Sequence, residues 1–296
     1  MLQNKLFRKL FYFKTWNIGY KDENIDSIQA ISSIDNQKFF IKSAADPFYF
    51  EFNNKSYILY EKISQITGKG TIYIYDLENN IDQKILSKRY NLSFPTVLEF
   101  ENKLILFCEC AESKKLRYWH LDNSFNLVDE FTVINEGILD PLIIQKEAEY
   151  FLIGCKRTGS EQEYESVIYR SLDLNDWIKF DISQIRIPEG MERNAGLMHR
   201  EDQTIYRFSQ LLKPLYGSGV VINKVTKLNN KIYEEIKIKE IKIQSAQNLT
   251  GIHTITIAKS GFYYDYRVER FYFFAFILKL SAYVRKKVIK LFPPKT

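Results

Sequence analysis

Apolar and polar positions along this chain repeat one phrase. Asp46-PFYFEFNNKSYILY-Glu61 sets a run of aromatic and β-branched residues against a second such run, with a polar step between them. The phrase returns as Phe94-PTVLEFENKLILFC-Glu109, Asp140-PLIIQKEAEYFLIG-Cys155, Asn194-AGLMHREDQTIYRFS-Gln210 and His253-TITIAKSGFYYDY-Arg267. The starts at 46, 94, 140, 194 and 253 lie 48, 46, 54 and 59 residues apart. Each copy predicts an antiparallel hairpin turning at Asn53-Asn54-Lys55, Glu101-Asn102-Lys103, Lys146-Glu147-Ala148, Glu201-Asp202-Gln203 or Lys259-Ser260-Gly261. Third strands are predicted over 71–77, 116–122, 167–172 and 219–225. Strict alternation is lost because strands covered on both faces read as nearly continuous apolar runs.

A unit of about fifty residues with three or four antiparallel strands, repeated radially, defines a propeller blade. The expected fold class is therefore all-β, a five-bladed β-propeller with a C-terminal basic amphipathic helix; a β-sandwich with accidental internal similarity is the alternative. Closure of the ring needs an edge strand from one terminus, and Trp16-NIGY is the candidate. The expected organisation is a basic apolar arm over 1–14, the propeller over 15–270 and the helix over 271–296. In this arrangement the first strand of each blade lines the central channel, and its opening residue stands at the channel mouth. A proline is tolerated at a strand's first position because no ladder bond is lost there. Asp46, Phe94, Asp140, Asn194 and His253 are thus expected around one pit, the default place for a ligand.

Composition changes this picture little. The 296 residues are 45% hydrophobic and 15% aromatic, as in a globular chain. Three cysteines (Cys108, Cys110, Cys155) and three scattered histidines imply neither a disulfide framework nor a metal site. Charge is informative. From Arg267 to Thr296 there are eight Lys/Arg and one acid, Glu269, so this segment carries +7 of a total of +6 and the remainder sums to −1. A nucleic-acid partner is not expected, since the basic surface is not on the folded body. The run Phe271-YFFAFILKLSAYVRKKVIKLF is too interrupted by bases to span a bilayer. It reads as a helix lying on an anionic inner leaflet, or else packing on the propeller or a partner. Lys5, Arg8, Lys9 and Lys14 give the N-terminal arm the same character. With no secretory signal visible, a cytoplasmic location peripheral to the inner membrane is expected.

The segments WNIG, ADPF, Tyr60-Glu61, LSFPTV, Asp140-Pro141, Trp177, RNAG, YRFSQ, YGSGVVI and GIHTI, in this order, resemble the propeller domain at the N-terminus of plant glucosamine inositolphosphorylceramide transferases and of related bacterial surface-polysaccharide proteins. The resemblance covers roughly 16–267 and implies a five-bladed propeller. In the plant proteins the recognised glycosyltransferase module is a separate C-terminal domain that this sequence does not include. Here RNAG stands in place of RPAG and Asp265-Tyr266 in place of Asp-Gly. A more distant similarity is to propeller glycosidases of the arabinanase and β-xylosidase type. These carry an Asp in blade one, an Asp in blade three and a Glu near the start of blade four. Asp46, Asp140 and Glu189 or Glu192 match that layout.

Glycosyl chemistry needs one carboxyl group to attack or deprotonate and another to protonate the leaving oxygen, with pKa values held apart. The roles expected are Asp46 as base or nucleophile, Asp140 as orienter and pKa modulator, and Glu192 or Glu189 as acid. Substrate contacts are expected from Glu61, Glu109, Arg193, Arg207, Gln210, Tyr216, His253 and Asp265. Arg193 and Arg207 would grip an anionic group, and His253 a hydroxyl or the donor. Each residue type also has a structural use. Asp-Pro is a common turn former, Glu61 and Glu109 occupy equivalent blade positions, Arg207 fits a buried pair, and Tyr216-Gly217 fits a turn. The function expected is a carbohydrate-active, membrane-associated glycosyltransferase acting on a sugar or lipid-linked glycan. No cofactor beyond a nucleotide-sugar donor is expected. A glycoside hydrolase, or a glycan-binding propeller that partners a glycosyltransferase, are the alternatives.

Overall fold

The computed structural model describes residues 7, 10–25, 28, 30–31, 40–64, 67–159, 163–213, 215–243, 249–277 and 279–280. Five antiparallel sheets follow one another along the chain as the blades of a propeller. Blade one is Ala44–Phe52, Lys55–Ile63, Gly70–Asp76 and Ile81–Leu86. Blade two is Ser93–Phe100, Lys103–Glu109, Leu116–Leu121 and Leu127–Ile134, and blade three is Leu139–Lys146, Glu149–Arg157, Tyr164–Ser171 and Ile178–Lys179. Blade four is His199–Glu201, Thr204–Leu211, Gly219–Leu228 and Tyr233–Ile243, with Ile185–Arg186 and Ala30–Ile31 added in parallel to its outer strand. In blade five Leu249–Gly251 and Ile255–Ala258 pair with Gly261–Phe271, which pairs in turn with Tyr12–Lys21 and, beyond it, Phe40–Lys42.

That last pairing closes the ring. Tyr12–Lys21 runs antiparallel to Gly261–Phe271 in unbroken register from Tyr12↔Phe271 to Lys21↔Phe262. The strand expected at Trp16 therefore takes the third place in blade five, where it hides edges that would otherwise be open. It also extends the sheet past the boundaries expected at 15 and 270. The expected C-terminal helix lies largely outside the described residues; within them, helical backbone begins at Ala275.

Each of the five hairpins turns through a two-residue loop: Asn53-Asn54, Glu101-Asn102, Glu147-Ala148, Asp202-Gln203 and Lys259-Ser260. The first two loops have positive φ at both positions (50° and 60°, 49° and 61°), the geometry that asparagine tolerates best. The second strands are sandwiched between blades. Tyr150 and Leu152 face blade two, packing with Phe107 and Tyr118, whereas Phe151 and Ile153 face blade four, packing with Ile205 and Tyr233. This explains the uninterrupted apolar run at that point: successive side chains point to opposite faces, and both faces are core. Equivalent clusters fill the gaps between blades one and two, four and five, and five and one. Full burial of each such side chain stabilises the fold by about 1.5–3 kcal/mol.

The innermost strands are not straight. In blades one to three the residue before proline sits at positive φ, Asp46 at 51°, Phe94 at 49° and Asp140 at 46°. At each, the pairing register jumps, between Ala45 and Phe48, Ser93 and Thr96, and Leu139 and Leu142. These are β-bulges. The proline was expected at the opening of the strand; it lies inside it, at a bulge where no partner requires its missing N–H. Blade four bends differently. Gly196 (φ 124°) lies so close to blade five that an added Cβ would stand 1.8 Å from the Ile255 carbonyl oxygen. At this same junction the Ile255 N–H donates to the Ala195 carbonyl (2.8 Å).

Gly196→Ala is expected to lose at least about 3 kcal/mol in denaturant unfolding, because both the backbone angle and the inter-blade contact forbid a side chain. A loss under about 1 kcal/mol would show that the two blades can separate freely there.

Candidate functional site

Side chains from all five blades converge on a cavity of about 220 Å³ lined by Trp16, Ala45, Asp46, Glu61, Ile63, Asn91, Ser93, Glu109, Asp140, Arg193, Tyr216 and His253. The bulges aim Asp46 and Asp140 into it. Their strained backbone is held by carboxylates. The Asp46 N–H donates to Asp265 Oδ2 (3.2 Å), the Phe94 N–H to Asp46 Oδ2 (3.0 Å) and the Asp140 N–H to Glu109 Oε2 (3.0 Å). Each bond joins one blade to the next. Glu61 and Glu109 stand near the ends of second strands and Asp265 midway along its own, each opposite the start of the inner strand. Glu109 and Asp265 both hold the following blade's bulge. At the corresponding place after Glu61, the Phe94 N–H goes to Asp46 instead.

Two charged assemblies face one another across the pit. In the first, Arg193 grips Asp140 in bidentate fashion, Nε to Oδ2 at 2.6 Å and Nη2 to Oδ1 at 2.8 Å, while Gln210 Nε2 adds a bond to Oδ2 (3.2 Å). The guanidinium lies between the rings of Tyr164 and Tyr216, at 5.4 and 5.6 Å. Burial opposes its charge, but Asp140 overcomes that and holds it firmly protonated. In the second, His253 stands between two acids, Nδ1 2.6 Å from Asp265 Oδ2 and Nε2 3.5 Å from Asp46 Oδ1. The short contact is an ion pair poorly aligned for a hydrogen bond. Asp265 Oδ1 accepts the N–H groups of His253 and Thr254 (3.0 Å each), and Thr254 Oγ1 donates to Asp46 Oδ1 (2.8 Å). Trp16 stacks on the imidazole, with centroids 4.1 Å apart. Burial alone would lower the His253 pKa, but Asp265 and then Asp46 reverse the sign and raise it.

Burial raises the pKa of the other three carboxyls, Glu61, Glu109 and Asp46. Burial, then the charges of Asp46 and Glu109, push Glu61 well above the usual carboxylate range; a hydrogen bond between the Glu61 and Asp46 carboxyls adds to the rise. Burial and Asp140 raise Glu109 to about 8, against the opposing pull of Arg193 and the Asp140 N–H. Asp46 is raised by burial, although His253 works the other way. The pit therefore contains proton donors and proton acceptors side by side at neutral pH, the arrangement that marks acid–base sites.

Several expected positions are corrected by this geometry. Glu189 is exposed and Glu192 partly so, and neither lines the cavity. Glu192 Oε1 instead accepts the Gly190 N–H (2.9 Å), closing a local turn. Arg207 was expected to grip an anion. It is 0% exposed and fully used: Nε and Nη2 bond to Glu235 (2.7 and 2.5 Å), Nη1 to Asn194 Oδ1 (2.8 Å) and Nη2 also to the Met191 carbonyl (2.7 Å). Tyr233 donates to the same Glu235 (2.6 Å). Asn194 spends its amide on the carbonyls of Asp140 and Ile153 (2.7 and 2.9 Å), and Phe94 packs inward, so these two mouth positions supply scaffold. Trp16, Asn91 and Ser93 line the pit without having been singled out as site residues; that Trp16 belongs to the closing strand was the available signal. Among the described residues Asp46, His253 and Asp265 can bring one ligand atom each within 4.8 Å of one another. The bonds above engage the carboxylates of Asp46 and Asp265, whereas His253 Nδ1 has no aligned hydrogen-bond partner.

Fold and site together define a five-bladed propeller with a carboxylate-lined central pit. The model of the family described as glucosamine inositolphosphorylceramide transferase 1, N-terminal, matches residues 25–255, and the chain belongs to this family. It is 25% identical over 210 residues to glucosamine inositolphosphorylceramide transferase 1 of Arabidopsis thaliana and 24% identical over 208 residues to that of Oryza sativa subsp. indica. The alignments cover 66% of this chain but only 27% and 28% of those proteins, so the chain spans under a third of the length of the curated relatives it matches. Among solved structures it is similar to RS223 β-xylosidase (TM-score 0.53, 12% identity, 77% of this chain and 92% of that one). It is likewise similar to the catalytic domain of a Coprinopsis cinerea α-L-arabinofuranosidase (TM-score 0.54, 8% identity, 85% and 84%). At these identities the likeness concerns the fold.

Glu109 holds its proton to about 8 in the folded protein but releases it near about 4.3 when unfolded. The folded state binds the extra proton between these values. Its contribution to stability is complete below the unfolded value and lost as pH rises through about 8. Thermal melts from about pH 5 to 9 should show Tm falling more steeply in the wild type than in Glu109→Gln. Parallel curves would show that Glu109 titrates like an exposed carboxylate.

Proposed function

We propose that the pit holds one sugar residue and that the protein is a glycosyltransferase acting at that sugar's anomeric carbon. The observation carrying this reading is the coexistence, in one pit, of a carboxyl that keeps its proton to about 8 and an Asp46 side chain positioned by three neighbours. Glu109 has Oε2 committed to the Asp140 N–H, which leaves its other oxygen to carry the proton toward a departing oxygen. Asp46 is aimed by the Phe94 N–H and the Thr254 hydroxyl, and His253 beside it offsets the charge of Asp265. In this reading Asp46 is the base or nucleophile, Glu109 the acid with Glu61 as its neighbour in the proton pool, and Asp140 with Arg193 the polar wall that orients hydroxyls. A nucleotide sugar is the donor.

The arabinanase-type layout, with its acid at the start of blade four, is not reproduced here, because Glu189 and Glu192 stay outside the cavity. This weighs against the hydrolase reading. A second reading, a glycan-binding propeller that positions a partner transferase, is favoured by one fact: the plant relatives align with this chain over barely more than a quarter of their length.

Purified protein offered nucleotide-sugar donors and glycan acceptors should transfer sugar, and Asp46→Asn should lower the rate at least about 100-fold while leaving the circular dichroism spectrum unchanged. The wild-type rate should fall as pH climbs through about 8, since the acid must be protonated. Unaltered turnover in Asp46→Asn removes that residue from the chemistry. Sugar binding without turnover by any donor selects the second reading.

A further inference from the structure

The two ends of the described chain meet in a patch that the pit does not use. Phe271, Tyr272, Phe273, Phe274, Phe276, Ile277 and Leu280 are 52%, 49%, 62%, 52%, 38%, 48% and 59% exposed, and Phe7 and Leu10 are 47% and 40% exposed. The patch is continuous. Phe7 stacks with Phe11 (4.9 Å) and Phe271 (6.0 Å), and Phe11 meets Phe273 (6.3 Å) and Phe276 (5.8 Å). Lys279 Nζ bonds to the Tyr12 carbonyl (2.5 Å) and ties the two ends together. Exposed apolar surface on this scale marks a contact site.

Charge says what kind. Residues 271–296 contain six Lys/Arg and no Asp or Glu, and residues 1–14 contain four and none. Lys14 and Arg270 are exposed beside the aromatic cluster. Glu269 stands opposite Lys14 on the neighbouring strand, but by sequence the two terminal segments carry a large excess of bases. Aromatic rings joined to such an excess match an anionic lipid surface, where rings sit among the headgroups and bases meet the phosphates, better than a protein partner of mixed charge. Among the described residues no helix is long and apolar enough to cross a membrane. The register places the patch relative to the pit. Trp16, which lines the pit, pairs with Arg267, and the same two strands run on to Tyr12↔Phe271, four residues or about 13 Å further. The patch therefore sits at the pit end of blade five.

We propose that this aromatic and basic face docks on an anionic phospholipid surface and holds the pit end of blade five close to the headgroups. The docking does not depend on the pit being a glycan site.

The test is cosedimentation of the full chain with vesicles of phosphatidylcholine alone and with vesicles containing about a third phosphatidylglycerol. Binding to the anionic vesicles should be at least about tenfold stronger and should weaken in about 0.5 M salt. Phe273→Ser/Phe274→Ser should weaken it about tenfold. Lys14→Glu/Arg270→Glu leaves the rings in place and should remove the preference for anionic lipid. Asp46→Asn should bind vesicles like the wild type, which separates failure of docking from failure of the sugar chemistry. Lack of binding to either vesicle, or equal binding by all variants, overturns the proposal. So does a stable dimer in solution that the double serine variant dissociates, because the patch would then belong to a second copy.

Discussion

The ring is held at its axis by carboxylates that accept backbone N–H groups from strained bulges. Asp265 takes the N–H of Asp46, Asp46 that of Phe94, and Glu109 that of Asp140. A residue other than glycine at positive φ costs about 1–3 kcal/mol, and charge-assisted bonds of this kind are among the stronger ones available to offset it. Between blades three and four the same work falls to Arg193 and Gln210 on Asp140, and between four and five to backbone bonds at Ala195 and Gly217. The inter-blade cores keep the blades upright, but these bonds fix where the inner strands begin.

The consequence is electrostatic. Acids that are needed to hold the bulges are forced into one enclosed space, and there is not enough opposite charge to satisfy them all. Arg193 neutralises Asp140, and His253 sits between Asp265 and Asp46. Glu61 and Glu109 are left, and they respond by keeping their protons. A propeller built this way acquires proton donors beside proton acceptors as a by-product of closing its ring. The same strands that close it carry an exposed aromatic face beyond the pit, so architecture, site chemistry and the face proposed to dock on lipid share one pair of strands, Tyr12–Lys21 and Gly261–Phe271.

Much of this was legible along the chain because a repeat can be counted. The five phrases and the places of their turns follow from periodicity, which also puts Asp46, Asp140 and His253 at equivalent mouth positions. The closing strand at Trp16 follows from the need to pair an open edge, while the trimming of each three-residue turn to a two-residue loop was seen only in the structure. What failed was anything set by the direction of a side chain. Glu189 and Glu192 precede blade four in sequence, yet neither lines the cavity, and Glu192 is spent on a local turn through the Gly190 N–H. Arg207 has its partner 28 residues away in Glu235, inside a strand whose alternation of charges reads as solvent-facing. Glu61 and Glu109, which look interchangeable in the repeat, differ because Arg193 and the Asp140 N–H act on Glu109, whereas the corresponding N–H after Glu61, that of Phe94, goes to Asp46. No spacing rule reports that choice.

The most direct measurement is the protonation state of the pit itself. Infrared difference spectra with ¹³C-labelled glutamate carboxyls should contain a protonated glutamic acid signal at neutral pH that fades as pH passes about 8 and is diminished in Glu109→Gln. Spectra in which every glutamate is already ionised at neutral pH would contradict the account, because the pit would then hold only acceptors.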